Sequence, residues 1–88
     1  MSPQRRRLRL IVNPVAANVT GRSRRAVLDA LVVHAVSVVE TTEPDHATAL
    51  ARGAAADGVD AVVVLGGDGT VSEAANGLME AGTGTTLV

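Results

Sequence analysis

The chain has 88 residues, 47% of them apolar, with a formal net charge of −1 and no Phe, Tyr, Trp or Cys. This excludes a disordered chain, disulfides, thiolate metal sites and cysteine nucleophiles, and it gives no nucleic-acid footprint in the charge balance. All eight basic residues are Arg, so neither a Walker A loop nor a protein-kinase fold, each of which needs a Lys, can be present.

The opening segment carries Arg5, Arg6, Arg7 and Arg9. The apolar run behind them, Leu10-Ile11-Val12, is broken by Asn13 and Pro14. A secretory signal needs roughly 7–15 apolar residues and a membrane span about 20, so a cytoplasmic protein is expected. The Arg cluster reads either as a solvated tail or as a contact for anionic lipid headgroups at the inner face of a membrane, worth about 1 kcal/mol per basic residue near the surface.

Leu8 to Val12 predicts a first strand ending in Asn-Pro. A helix is expected over Ser23 to Val33, with Val27, Leu28, Leu31 and Val32 on one face. A second strand, Val36 to Thr41, leads to Pro44 and Asp45, which open a second helix with Ala47, Leu50, Ala51 and Ala54 in apolar register. Gly58 suits the left-handed position past its end. The continuously apolar Ala61 to Leu65 suits a central parallel strand. The third helix follows the glycines, with Thr70 and Glu73 spaced as a capping box, and Gly82 ends it. Thr85 to Val88 reads as the start of a fourth strand. Alternation of this kind implies a doubly wound α/β fold with right-handed crossovers. A core of small side chains in a domain that buries only about 60–65% of its unfolded surface is expected to be marginally stable, and the sheet stops at a strand start, so a fragment of a larger domain is expected.

Gly66-Gly67-Asp68-Gly69-Thr70 lies between a buried strand and a helix, at the sheet end where ligands of such folds bind. Glycines admit a phosphate without meeting a Cβ, and the free amides of a helix start face an anion. Asp68 beside a phosphate suits a divalent metal bridge or a general base; alternatively the segment is a tight turn whose Asp binds nearby amides.

The run Gly66-Gly67-Asp68-Gly69-Thr70-Val71-Ser72-Glu73-Ala74-Ala75-Asn76-Gly77-Leu78 resembles the signature of the diacylglycerol-kinase catalytic domain, shared with sphingosine and bacterial lipid kinases. Gly-Gly-Asp-Gly also occurs in NAD kinases and phosphofructokinases; the Glu73…Asn76-Gly77 extension is what points to the lipid branch. An Asn-Gly pair inside a helix costs about 1 kcal/mol or more by propensity, so a specific constraint should hold it there. Asn13-Pro14 is similar to the family's N-P motif, whose Asn contacts the nucleotide. Thr42 is similar to its nucleotide-contacting Thr, with Glu43 to Ala47 like the stretch that follows.

The resemblance implies a three-layer parallel-sheet nucleotide-binding domain of the NAD kinase/diacylglycerol kinase amino-terminal type, here an incomplete βαβαβα fragment. Residues 1–88 would be the amino-terminal part of the catalytic domain, without the β-rich lipid-binding domain. It implies an ATP-dependent, Mg²⁺-requiring lipid kinase acting on a diacylglycerol or sphingoid-type hydroxyl, inactive as 88 residues alone. Gly66, Gly67, Asp68, Gly69 and Thr70 would cradle phosphate, Asn13, Pro14 and Thr42 would hold the nucleotide, and Asp68 would be the catalytic residue, ordering the metal network or accepting the hydroxyl proton, with no metal ligand beyond a water-mediated one at Asp68. An NAD kinase-type phosphotransferase and a non-catalytic nucleotide-binding module are the alternatives. The sequence names neither the acceptor lipid nor the oligomeric state.

Several positions depart from the pattern or have plain explanations. Val15-Ala16-Ala17-Asn18 replaces the small-residue and Gly stretch after the N-P motif, and Ser72 stands where Asn is common. The family's Gly-Thr-x-Asn follows the fourth strand and is not reached; Gly82-Thr83-Gly84-Thr85 precedes that strand. Glu73 is expected to serve the capping box, Asn76 to pack or bridge segments, and His34 and His46 to be surface or boundary residues. Arg22, Arg24 and Arg25 are options for meeting phosphate.

Overall fold

The computed structural model describes residues 6–17, 19–82 and 86–87. Four parallel strands, β1 (Arg7–Val12), β2 (Ala35–Glu40), β3 (Ala61–Leu65) and β4 (Thr86–Leu87), alternate with α1 (Gly21–Ala30), α2 (His46–Ala56) and α3 (Asp68–Ala81). The sheet order is β2-β1-β3-β4. Leu10 pairs with Val38 of β2 on one side and with Val63 of β3 on the other. The expected alternation is therefore present, and of the expected fourth strand Thr86–Leu87 is seen, while Thr85 and Val88 lie outside the described residues.

The chain moves one way from β1 to β2 and the opposite way from β2 through β3 to β4. With right-handed crossovers this reversal puts α1 on one face of the sheet and α2 and α3 on the other. β1 lies inside the sheet, and Leu10, Ile11 and Val12 are each 0% exposed. The apolar run that predicted enclosure on both faces was β3, yet only Ala61 and Val62 of that strand are buried and Val63 to Leu65 are half-buried.

The core joins Ile11 and Val62 to Ala47, Ala51, Ala54, Ala74 and Leu78. With no aromatic ring to span a gap, α2 and α3 must approach closely. At Gly77 they do: a Cβ there would overlap the Thr48 carbonyl oxygen of α2 and lie 3.1 Å from Ala51 Cβ. Thr48 Oγ1 also donates to the Glu73 carbonyl of α3 at 2.9 Å. The costly Gly in the Asn76-Gly77 pair is thus held by helix–helix contact.

On the other face α1 is looser. Its cap is Thr20, whose side chain accepts from the Ser23 amide while Ser23 accepts from the Thr20 amide. The helix then ends at Ala30 rather than Val33, and Val32 and Val33 are 76% and 59% exposed. A β-branched pair extends a helix poorly, so the expected apolar face is cut short. Leu28, Leu31 and Val32 wall an open groove of about 570 Å³ together with Leu8, Val36 and Val59. Elsewhere the turn chemistry is as expected, with Gly58 at φ 77° and Gly82 at φ 65°.

Gly77→Ala is expected to lower the unfolding free energy by about 1–3 kcal/mol, because the added methyl meets backbone that cannot move alone. Gly53 lies in α2, and a Cβ added there would meet nothing within 4 Å. Gly53→Ala should therefore raise stability by about 0.5–1 kcal/mol through helix propensity. Urea denaturation of both variants checks the pair.

Candidate functional site

The chain reverses its winding between β1 and β3, and their carboxyl ends open a crevice at this switch point. Asn13 N–H donates to the Leu65 carbonyl at 2.9 Å and closes the crevice floor. The Asn13 side chain spans the loops above it. Its Oδ1 accepts from the Val15 amide at 3.2 Å and its Nδ2 donates to Thr70 Oγ1 at 3.2 Å. These two bonds set the orientation of the amide and tie the β1–α1 loop to α3.

The start of α3 differs from the expected one. Gly67 is its N-cap and Asp68 its first residue. Thr70 therefore lies within the first turn, 6% exposed, and makes no capping box with Glu73. Its hydroxyl is turned to Asn13 instead. Gly66 stands behind it, since a Cβ there would come within 2.9 Å of Thr70 Cβ and Oγ1. Gly67 and Gly69 would meet nothing within 4 Å, and neither they nor Gly66 has a positive φ. Clearance rather than backbone freedom is what these glycines supply. The first intrahelical bond runs from Val71 N–H to the Gly67 carbonyl at 3.1 Å, so the amides before it have no acceptor within the helix and point towards the open end.

The third wall is the β2–α2 turn. Thr41 N–H donates to the Val12 carbonyl at 2.8 Å. Thr42 N–H donates to His46 Nδ1 at 2.9 Å, and Thr42 Oγ1 lies 3.3 Å from the same nitrogen. Asp45 between them is left-handed at φ 65°. The expected helix start at Pro44 and Asp45 accordingly falls to His46.

Together these walls enclose a cavity of about 310 Å³ lined by Asn13, Val15, Thr42, Pro44, Thr70 and Glu73, with Thr41 and Glu43 at its sides. Three predicted site residues, Asn13, Thr42 and Thr70, thus meet in one space. Gly66 supports that space from behind, and Pro14 is exposed beside Asn13. Gly67, Asp68 and Gly69 form the rim at the α3 start and do not line the cavity; Asp68 and Gly69 are exposed. The charged lining groups are Glu43 and Glu73. Such a lining disfavours a bare phosphate and is compatible with uncharged polar groups or a phosphate that carries a cation. Glu73, expected as a cap, is a cavity wall.

Other candidates are elsewhere. Arg24 pairs with Glu40 at 2.6 Å, and Arg22 and Arg25 are exposed. Arg7 and Arg9 occupy β1, with Arg9 paired to Asp57 at 3.1 Å and Arg7 NH1 donating to the Asp57 carbonyl at 3.3 Å. Arg6 is exposed, while Arg5 and Asn18 lie outside the described residues. His34 Nδ1 accepts from the Arg6 amide at 3.2 Å. Asn76 is exposed on a groove between α2 and α3. His46 is half-buried, as a boundary residue should be, and the sequence analysis did not foresee its bond to Thr42, for which its place four residues after Thr42 was the available signal. Among the described residues no group of three His, Cys, Asp or Glu is arranged to hold a metal, and no helix is long and apolar enough to cross a membrane.

Residues 7–88 match the family model of the diacylglycerol kinase catalytic domain. The chain is similar to a crystal structure of a diacylglycerol kinase from Bacillus anthracis str. Sterne, at 30% identity and a TM-score of 0.77, over 98% of this chain and 32% of that one. Two provisionally assigned diacylglycerol kinases of the same organism match at 31% and 30% identity, with TM-scores of 0.75 and 0.77, over 93% and 98% of this chain and 30% of each of theirs. The chain therefore spans less than a third of the length of these relatives. No curated protein matches it.

Thr70→Val keeps the shape of Thr70 but leaves Asn13 Nδ2 without its acceptor, and should cost about 1 kcal/mol of stability. In a double-mutant cycle, Asn13→Ala and Thr70→Val are expected to couple by at least about 0.5 kcal/mol. Additive unfolding free energies would show that the two side chains do not meet.

Proposed function

The chain belongs to the diacylglycerol kinase catalytic domain family, and from that premise we propose that the complete protein transfers the γ-phosphate of ATP to a lipid hydroxyl, with this segment binding the nucleotide. The observation that carries the proposal is the convergence of Asn13, Thr42 and Thr70 on one cavity beside the start of α3. Polar side chains inside the cavity, and amides without a helical acceptor at its rim, suit a ligand with an uncharged body and an anionic tail.

Asp68 fits the requirement for Mg²⁺. Magnesium keeps most of its waters and takes one or two carboxylates together with substrate phosphates, and Asp68 is an exposed carboxylate at the rim where those phosphates would lie. The ion would neutralise charge on the phosphates. Asp68 would then order that hydrated ion or accept the proton released as the lipid oxygen attacks phosphorus. The acceptor pocket is proposed to lie in the remainder of the protein, since this segment corresponds to 32% of its relative's chain. Contact with an anionic membrane surface would draw on Arg6, because Arg7 and Arg9 are engaged with Asp57.

In the full-length protein Asp68→Asn is expected to abolish lipid phosphorylation. Activity within a few-fold of wild type would remove Asp68 from that role. Offering diacylglycerol and NAD side by side, with labelled ATP, should place label in the lipid; label in the dinucleotide would overturn the lipid assignment.

A further inference from the structure

We propose that His46 is a positioning residue of this site, holding Thr42 in place for the nucleotide; the inference rests on the nucleotide-binding reading above. Thr42 is exposed and lies in the loop just before a turn, where a side chain ordinarily samples several arrangements. Here its amide donates to His46 Nδ1 at 2.9 Å. A ring nitrogen that accepts carries no proton, so this bond requires the tautomer with its hydrogen on Nε2. Thr42 Oγ1, 3.3 Å from the same nitrogen, can then only donate to the ring. It is able to turn that proton to an incoming acceptor while the amide bond keeps the residue in place.

The ring is attached to something rigid. His46 opens α2, and the next residue, Ala47, is 0% exposed in the core. Thr48 fastens the same turn to the Glu73 carbonyl at 2.9 Å. On its other side Thr41 is hydrogen-bonded to β1 at 2.8 Å. Thr42 is thus anchored from the sheet by its neighbour and from α2 by the histidine. Asp45 supplies a second, independent sign. A non-glycine residue in the left-handed region, at φ 65°, persists where surrounding contacts over-determine the backbone. That conformation is what folds the turn back so that the side chain of residue 46 reaches the amide of residue 42.

The expected consequence is preorganisation: without the ring, Thr42 must be ordered when ligand binds. In the full-length protein, His46→Ala should weaken the binding of Mg²⁺-ADP about five- to tenfold, the worth of one net hydrogen bond. It should raise KM for ATP more than it lowers kcat. His46→Asn places Oδ1 where Nδ1 stood and should restore affinity to within about twofold, on the same equivalence of one acceptor for another. Wild-type affinity in His46→Ala, or failure of Asn to restore what Ala loses, would overturn the inference.

A second readout does not depend on nucleotide. Nitrogen-15 NMR of the histidine-labelled protein should show the Nε2-protonated tautomer for His46. The Thr42 amide proton should move upfield and exchange faster in His46→Ala. A ring protonated at Nδ1, or an unchanged Thr42 amide, would sink the positioning role. Asn13→Ala separates the two ideas. If it and wild type bind Mg²⁺-ADP equally, or neither binds, the nucleotide reading fails, and the tautomer and amide signals still decide whether His46 holds Thr42.

Discussion

The site depends on how closely α2 and α3 can approach. Without a single aromatic residue, the face they share is filled by alanines, Val62, Ile11 and Leu78. Dispersion falls off quickly with distance, so small side chains make a dense core only if the backbones come together. Gly77 against the Thr48 carbonyl is where this happens. The same turn of α2 begins with His46, and the same helix α3 begins with the Gly67–Thr70 segment. Two of the three cavity walls are therefore set by one helix contact lying behind them.

The wall formed by Asn13 comes from topology. β1 and β3 are neighbours, yet their connections leave towards opposite edges of the sheet, which opens a gap between their carboxyl ends. Asn13 occupies that gap and spends both ends of its amide on protein, one on its own loop and one on Thr70. The glycine motif contributes in a way that differs residue by residue. Gly66 makes room for Thr70, whereas Gly67 and Gly69 leave open space at the rim. Asp68 is exposed there, and the two carboxylates within the cavity are Glu43 and Glu73. This puts acidic side chains inside the cavity and the open start of α3 outside it.

Much of the architecture could be read from local patterns. The apolar periods place all three helices and the strands within a few residues, because burial on one face leaves a direct imprint on the sequence. Gly58 and Gly82 were identifiable because a left-handed backbone at a helix end strongly favours glycine. Asn13 and Thr42 were singled out through the family signature, since each alone resembles an ordinary turn or cap residue, whereas Thr70 was also marked by the glycines and helix start around it. The errors occurred where a local rule competes with a distant partner. Thr70 and Glu73 have the spacing of a capping box, but Asn13, 57 residues away in sequence, takes the Thr70 hydroxyl. Val32 and Val33 continue an apolar period, but two β-branched residues at the edge of a loosely covered face do not sustain the helix.

The sequence by itself determined the alternation of strands and helices, the glycine-rich helix start and the family, because these are written in spacing and in residues a few positions apart. Only the tertiary structure decided that Gly77 is a helix contact, that Glu73 faces the cavity, and that His46 holds Thr42. Each of those facts depends on how separate elements lie against one another, or on a backbone turn held by them. Periodicity records which face of an element is buried, but not what it is buried against.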